Sequence, residues 1–294
     1  MAPRNLANRK NEHIMMCCGT PVRICNGEVN VLGVPKVRYC PLLDKLYGIK
    51  RVTRDVVKQI VEMKIRKFGL FTPHRTFEKK LWVPYGASEM IKIGLEKKLF
   101  DCAVIVSEGA GTVITTNGDL VQSIGARLNG IIKTSPIPGI IEYIEENSGV
   151  ILDKNTAKID QVEGVLEALK RGHRRIAVTI AGFRAWEISK IREIEENHKA
   201  EITVFSICNT VVSEEMIKHI AKADLIWSSA SKIIRERIGK KALIQLGVGI
   251  PVFALTPRSK RIILQYLEDF KNQLIVFRTR LPYIVKEREP KTTI

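Results

Sequence analysis

Arg175-Ile-Ala-Val-Thr-Ile180, then Ala181-Gly-Phe, then a long amphipathic stretch over 185–197, then Ile202-Thr-Val-Phe-Ser-Ile207: this succession decides the fold. The two apolar runs are short and rich in β-branched residues, the pattern of strands buried on both faces. The stretch between them has the length and periodicity of a covering helix. The rhythm continues in both directions. Downstream it predicts helices over 213–223, 231–238 and 257–270, and strands over 224–227 and 251–255. Upstream it predicts strands over 102–106, 113–115 and 150–152, an extended segment over 128–132, and helices over 136–146 and 162–170. Such alternation predicts an α/β domain over 101–285, a mainly parallel sheet with helices on both faces.

The first hundred residues read differently. Asn26-Gly27 sits between alternating residues from 22 to 31, a two-residue hairpin signal. A short extended segment over 37–40 stops at Pro41. Thr53 is placed as the N-cap of a helix, and Ser88-Glu89 opens another. The stretch from 70 to 85 is loop-like. This segment is expected to be a smaller basic α+β portion, with residues 1–13 a disordered arm. Residues 286–294 are expected to be a mobile tail.

Composition narrows the class. With 45% hydrophobic and 27% charged residues, the chain has the make-up of a soluble globular protein. No apolar run reaches the roughly 18–20 residues that span a bilayer. The basic N-terminus lacks the apolar core of a secretory signal, so a cytoplasmic location and no membrane partner are expected. The net charge is +17, and residues 1–100 alone carry a balance of +12 while 101–200 carry −2. That field favours acidic partners. Nucleic acid is not the expected one, because no nucleic-acid fold motif or stacking platform accompanies the charge.

Small and polar residues follow the strands, where a parallel sheet presents its ligand site. Glu108-Gly109-Ala110-Gly111-Thr112 resembles part of a dinucleotide fingerprint, but Val113-Ile-Thr continues as β where that motif needs a helix. It is either a ligand wall or a hairpin turn. Ser228-Ser229-Ala230-Ser231-Lys232 opens a helix and offers hydroxyls, N–H groups and a cation to an anion. It reads equally as a simple cap. Thr256-Pro257-Arg258 reads first as a helix start. Cys208-Asn209-Thr210 ends a strand, and its thiol is either buried or a nucleophile awaiting a base. The ligand-binding candidates are therefore Glu108, Gly109, Gly111, Thr112, Asn209, Thr210, Ser229, Ser231 and Lys232.

Six cysteines are present, four of them within the first 40 residues: Cys17, Cys18, Cys25 and Cys40. No C-x-x-C occurs and no Cys/His pair has zinc-finger spacing, so no metal site and no stable iron–sulfur cluster is expected.

Ordered short motifs carry a resemblance over about residues 20–265. They are Tyr39-Cys-Pro-Leu-Leu-Asp-Lys with Gly48-Ile-Lys, Tyr85-Gly-Ala-Ser-Glu, Glu108-Gly-Ala-Gly-Thr-Val-Ile, Val121-Gln-Ser-Ile-Gly and Thr134-Ser-Pro-Ile-Pro. Ile159-Asp-Gln, Ala230-Ser-Lys with Arg235-Glu, and Ala254-Leu-Thr follow. In these the chain resembles methanogenesis marker protein 8, an archaeal family of unknown biochemical role. The resemblance implies a link to methanogenesis, to methyl-coenzyme M reductase maturation or to cofactor metabolism. It assigns no reaction, cofactor or catalytic residue. Two functions are carried forward. One is binding of an anionic ligand or cofactor at the sheet edge. The other is a non-catalytic scaffold in a methanogenesis-related complex, docking an acidic partner through the basic first third.

Overall fold

The computed structural model describes residues 11–80 and 83–294. Most of the expected arm, residues 1–10, lies outside them. Glu12 already belongs to the first strand, β1 (Glu12–Cys17), which pairs antiparallel with β2 (Thr20–Cys25). Asn26-Gly27 makes the expected turn into β3 (Glu28–Val31), both residues at positive φ. These strands alternate between buried and half-exposed positions. Their inner face packs on α2 (Arg54–Phe68) through Met15, Val22, Val57 and Ile60. Thr53 caps that helix by accepting the Val56 N–H.

A second sheet has eight strands. Four run parallel at its centre, in the order β11 (Leu225–Trp227), β10 (Glu201–Ile207), β9 (Arg175–Ala181), β5 (Cys102–Ser107). Both margins are antiparallel. On one side lie β6 (Gly111–Thr115) and β8 (Gly149–Ile151), on the other β13 (Val252–Ala254) and β12 (Ile244–Leu246). Only β6 and β13 oppose the common strand direction, so the mainly parallel expectation holds for direction and is corrected at the edges. The reason is local. A two-strand hairpin needs only a short turn, and Glu108-Gly109-Ala110 supplies one.

Helices cover both faces. α6 (Gln161–Lys170), α7 (Trp186–His198) and α8 (Glu214–Ile220) bury one face through Val165, Ile188, Ile191 and Ile220. α3 (Ala87–Glu96), α4 (Gly118–Gly125), α5 (Pro138–Glu146) and α9 (Pro257–Glu268) bury the other. A short strand β7 (Ile131–Lys133) leaves this region and pairs with β1, joining the small sheet.

Three local readings differ from expectation. Pro41 does not end an extended segment so much as begin α1 (Pro41–Tyr47), where a missing N–H costs nothing. The helix expected over 231–238 contains one π-helical turn, Ile234–Ile238. The last residues, expected as a tail, form β14 (Lys291–Thr292), paired with β4 (Val37–Tyr39).

Candidate functional site

A cleft of about 520 Å³ lies where the four parallel strands end. Val106, Ala181, Ile207 with Cys208, and Trp227 with Ser229 line it from β5, β9, β10 and β11 in turn. This is the edge at which open α/β sheets bind ligands. The opposite wall comes from the small sheet: Cys18 and Gly19 of the β1–β2 turn, α1, and Lys64 of α2.

The hairpin tip is fixed against the sheet. Cys18 and Gly19 are the two turn residues, at φ +50° and +75°. A Cβ on Gly19 would sit 2.8 Å from Lys36 Cβ, 3.1 Å from Val211 and 3.2 Å from Thr210, so at this positive φ glycine is the residue that fits. Cys18 is one of five non-glycine residues at positive φ that line the cleft. The others are Tyr85, Arg127, Cys208 and Ser229. Each such conformation costs about 1–3 kcal/mol and persists where surrounding structure imposes it, a pattern that gathers at functional sites.

Lys64 is the cleft's distinctive charge. Its Nζ donates to the Arg127 carbonyl at 2.6 Å and to Asn129 Oδ1 at 2.5 Å, both neutral acceptors. No carboxylate of the described residues pairs with it. Burial pulls its pKa below the ordinary lysine range. The other cations facing the cleft are neutralised: Arg184 donates to Glu187 at 2.8 Å and Arg127 to Glu78 at 2.8 Å. Buried Glu89 also lines the cleft and accepts from the Val83 N–H, Ser88 and Gln122.

The residues singled out by sequence divide into three groups. Thr210 and Ser229 line the cleft. Asn209 and Thr112 stand behind it as struts. The Asn209 amide donates to the carbonyls of Ser206 and Trp227, at 3.1 and 2.8 Å, tying the ends of β10 and β11 together. Its own N–H donates to Ser229 Oγ. Thr112 donates to Gln161 Oε1 at 2.8 Å. Gln161 in turn donates to the carbonyls of Val104 and Thr179, where β5 and β9 part. Gln161 faces the cleft.

The third group is placed elsewhere. Glu108 is fully buried and pairs with Arg75 at 2.5 Å. Gly109 donates its N–H to Thr134, and Gly111 packs so closely on the 157–158 backbone that a Cβ would lie 2.3 Å from the Ala157 oxygen. None of the three lines the cleft. Ser231 and Lys232 face a separate hollow, where Lys232 is exposed and pairs with Glu236. Arg258 is occupied by Asp224 and Glu195 at the opposite edge of the sheet, and Thr256 caps α9 as the sequence indicated.

Lys64 was not among the residues singled out, although the sequence held its signal. Val57, Ile60, Val61 and Lys64 recur at helical spacing, which sets a lysine on the apolar stripe of α2. The thiols also converge partly. Cys18 and Cys208 line the cleft, Cys17 lies directly behind Cys18 with its Sγ 3.9 Å away, and burial pushes Cys208 up to about 11. Among the described residues, no three His, Cys, Asp or Glu side chains gather as metal ligands do. None of the described helices is long and apolar enough to cross a membrane.

Residues 13–268 match a family described as an uncharacterized protein conserved in archaea (DUF2099). An uncharacterized protein of Methanocaldococcus jannaschii is 40% identical over 288 residues, which are 97% of this chain and the whole of that one.

Proposed function

The chain belongs to this uncharacterized family conserved in archaea, and from its cleft we propose that it binds a small organic anion or anionic cofactor against Lys64. The observation that carries the reading is a half-buried ammonium held only by neutral oxygens at the carboxyl edge of a parallel sheet. A ligand's negative group supplies the missing counter-charge. Apolar side chains from β5, β9, β10 and α1 suit the rest of the molecule. The five strained residues around the cleft support the same reading. A place in methanogenesis, in reductase maturation or cofactor metabolism, belongs to this proposal. It rests on the motif resemblance and on the relative from a methanogen.

Thermal-shift titration with short carboxylates, sulfonates and phosphates tests it. Wild type should show a saturable upward shift with at least one class. Lys64→Met should weaken that binding at least about tenfold, since a charge-assisted hydrogen bond contributes roughly 1.5–3 kcal/mol. No shift with any anion, or an unchanged shift in the variant, refutes the assignment.

A scaffold reading has support at residues 271–280, not in the basic first third where the sequence placed the docking surface. Leu274, Ile275, Val276 and Phe277 are exposed, Ile275 and Val276 at 89%, and Lys271, Arg278 and Arg280 flank them. A salt-sensitive pull-down of an acidic protein, lost when Ile275 and Val276 become Ser, would favour it.

A further inference from the structure

We propose that Cys17 and Cys18 form a dithiol exchange centre in the cleft wall, which reduces a small disulfide bearing a negative group to its two thiols. The proposal deepens the anion reading of the same cleft. It takes its charge preference from that reading and its chemistry from the sulfurs.

The two Sγ atoms lie 3.9 Å apart in a turn that orients them unequally. Cys18 lines the cleft, while Cys17 is 4% exposed behind it. One thiol is therefore placed to attack and the other to resolve. Cys18 occupies a positive-φ turn position that asparagine or glycine fills more easily, and Gly19 pins the turn against Thr210 and Val211. The sulfurs are thus held by the fold. The shared hydrogen bond and the Lys64 ammonium hold Cys17 below the ordinary thiol range against its burial, while the same hydrogen bond and burial push Cys18 up, so the proton the pair keeps rests on Cys18 and Cys17 is the base beside it.

The pair starts with one proton, which moves to Cys17 as the Cys18 sulfur attacks R–S–S–R′. The Cys18–S–R bond forms, the substrate S–S bond breaks, and R′S⁻ leaves. R′S⁻ takes the proton from Cys17. The Cys17 thiolate then attacks the Cys18 sulfur, the Cys17–Cys18 bond forms, and RS⁻ leaves. The protein loses two electrons and the substrate gains them. Adjacent Cα atoms are about 3.8 Å apart, below the usual range for a disulfide, so the product ring is strained and excess thiol of the same class reopens it.

The test uses the reduced full-length protein without oxygen, with dithiodiglycolate as an anionic disulfide and cystamine as a cationic one. Intact mass and peptide mapping should show wild type losing two hydrogens at Cys17–Cys18 with no retained adduct. Cys17→Ser should trap half of the disulfide on Cys18, and Cys18→Ser should block both outcomes. Phenylarsine oxide, which bridges close thiols, should add once to unmutated protein across the same two sulfurs. Dithiodiglycolate should react about tenfold faster than cystamine, and Lys64→Met should remove that preference. Adducts at Cys25 or Cys208 with Cys17 and Cys18 untouched overturn the proposal. So does failure of Cys17→Ser to trap together with failure of the arsenical to bridge. Equal rates for the two disulfides, with Cys17–Cys18 oxidation intact, leave the dithiol standing and overturn the anion reading.

Discussion

Replacing Arg75 by Met removes the partner of a carboxylate that has no access to water. Glu108 is fully buried, and its Oε1 accepts from Arg75 Nε at 2.5 Å while Oε2 has no hydrogen-bond partner. The same guanidinium donates to the carbonyls of Ser123, Ile124 and Ala126 at 3.2–3.3 Å, closing the C-terminus of α4. Burial raises the Glu108 pKa, and the Arg75 charge pulls against that rise. Removing one member of such a pair costs about 3–5 kcal/mol, because the other is left charged and buried. With an unfolding entropy of roughly 2.1 cal/mol/K per residue, this lowers Tm by about 5–8 °C for a chain of this length. The pH dependence separates this cause from lost packing. In Arg75→Met the Glu108 pKa rises further, so the folded variant takes up a proton more readily than wild type. The deficit should be largest at pH 8 and shrink as pH falls and the carboxyl becomes neutral. Arg75→Met/Glu108→Met should regain the part of the loss owed to the unpaired carboxylate and lose its pH dependence, while the Ser123, Ile124 and Ala126 carbonyls stay without their donor. Urea denaturation of the three proteins at pH 8 and pH 5 measures this. A loss below about 1 kcal/mol for the single variant, or a deficit that does not change with pH, refutes the reasoning.

Three further outcomes are expected. His13 is buried, with Thr134 and Asn11 on its two ring nitrogens, and burial lowers its pKa to about 4. The unfolded chain then binds the extra proton between about pH 6.5 and pH 4, so stability falls by up to about 3 kcal/mol as pH drops through that window. His13→Asn should flatten this part of the pH profile, and identical profiles would count against it. Gly111→Ala should lower stability by more than about 3 kcal/mol, whereas Gly27→Ala, with open space around it, should cost only about 1–2 kcal/mol. Comparable melting temperatures for the two would contradict the close approach. Asn209→Ala leaves the Ser206 and Trp227 carbonyls without their donor, costing about 2–3 kcal/mol. Hydrogen exchange should quicken at the ends of β10 and β11 first, and uniform exchange would argue against a local strut.

How far the sequence could be read follows from which interactions are local. The strands at 175–181 and 201–207 and the helix between them were legible because a buried parallel strand needs an uninterrupted apolar run. Asn26-Gly27 and Thr53 were legible because turns and caps are satisfied within a few residues. α4 was not expected. Its cap, Asn117, follows a strand directly, and its C-terminus is closed by Arg75 from far upstream. Strand β12 escaped for a similar reason, since three residues gain their meaning only from pairing with β13.

The site was harder to read because charge compensation is a property of space. Glu108 and Lys232 were attractive as charges beside strand ends, and each meets an opposite charge, the first 33 residues away and the second one helical turn on. Lys64 looked like one lysine among many in a basic segment, yet it is the cleft cation that meets only a carbonyl and an amide. A strand-end position predicts where a ligand edge lies, since backbone direction fixes it. It does not predict which side chain remains available there. That depends on the partners brought by α2, α4 and the small sheet, whose turn at Gly19 meets Thr210 and Val211 at the far end of β10. The same reasoning gives the cysteines their interest. Their spacing argues against a metal site, and the hairpin places one thiol in the cleft with a second at its back.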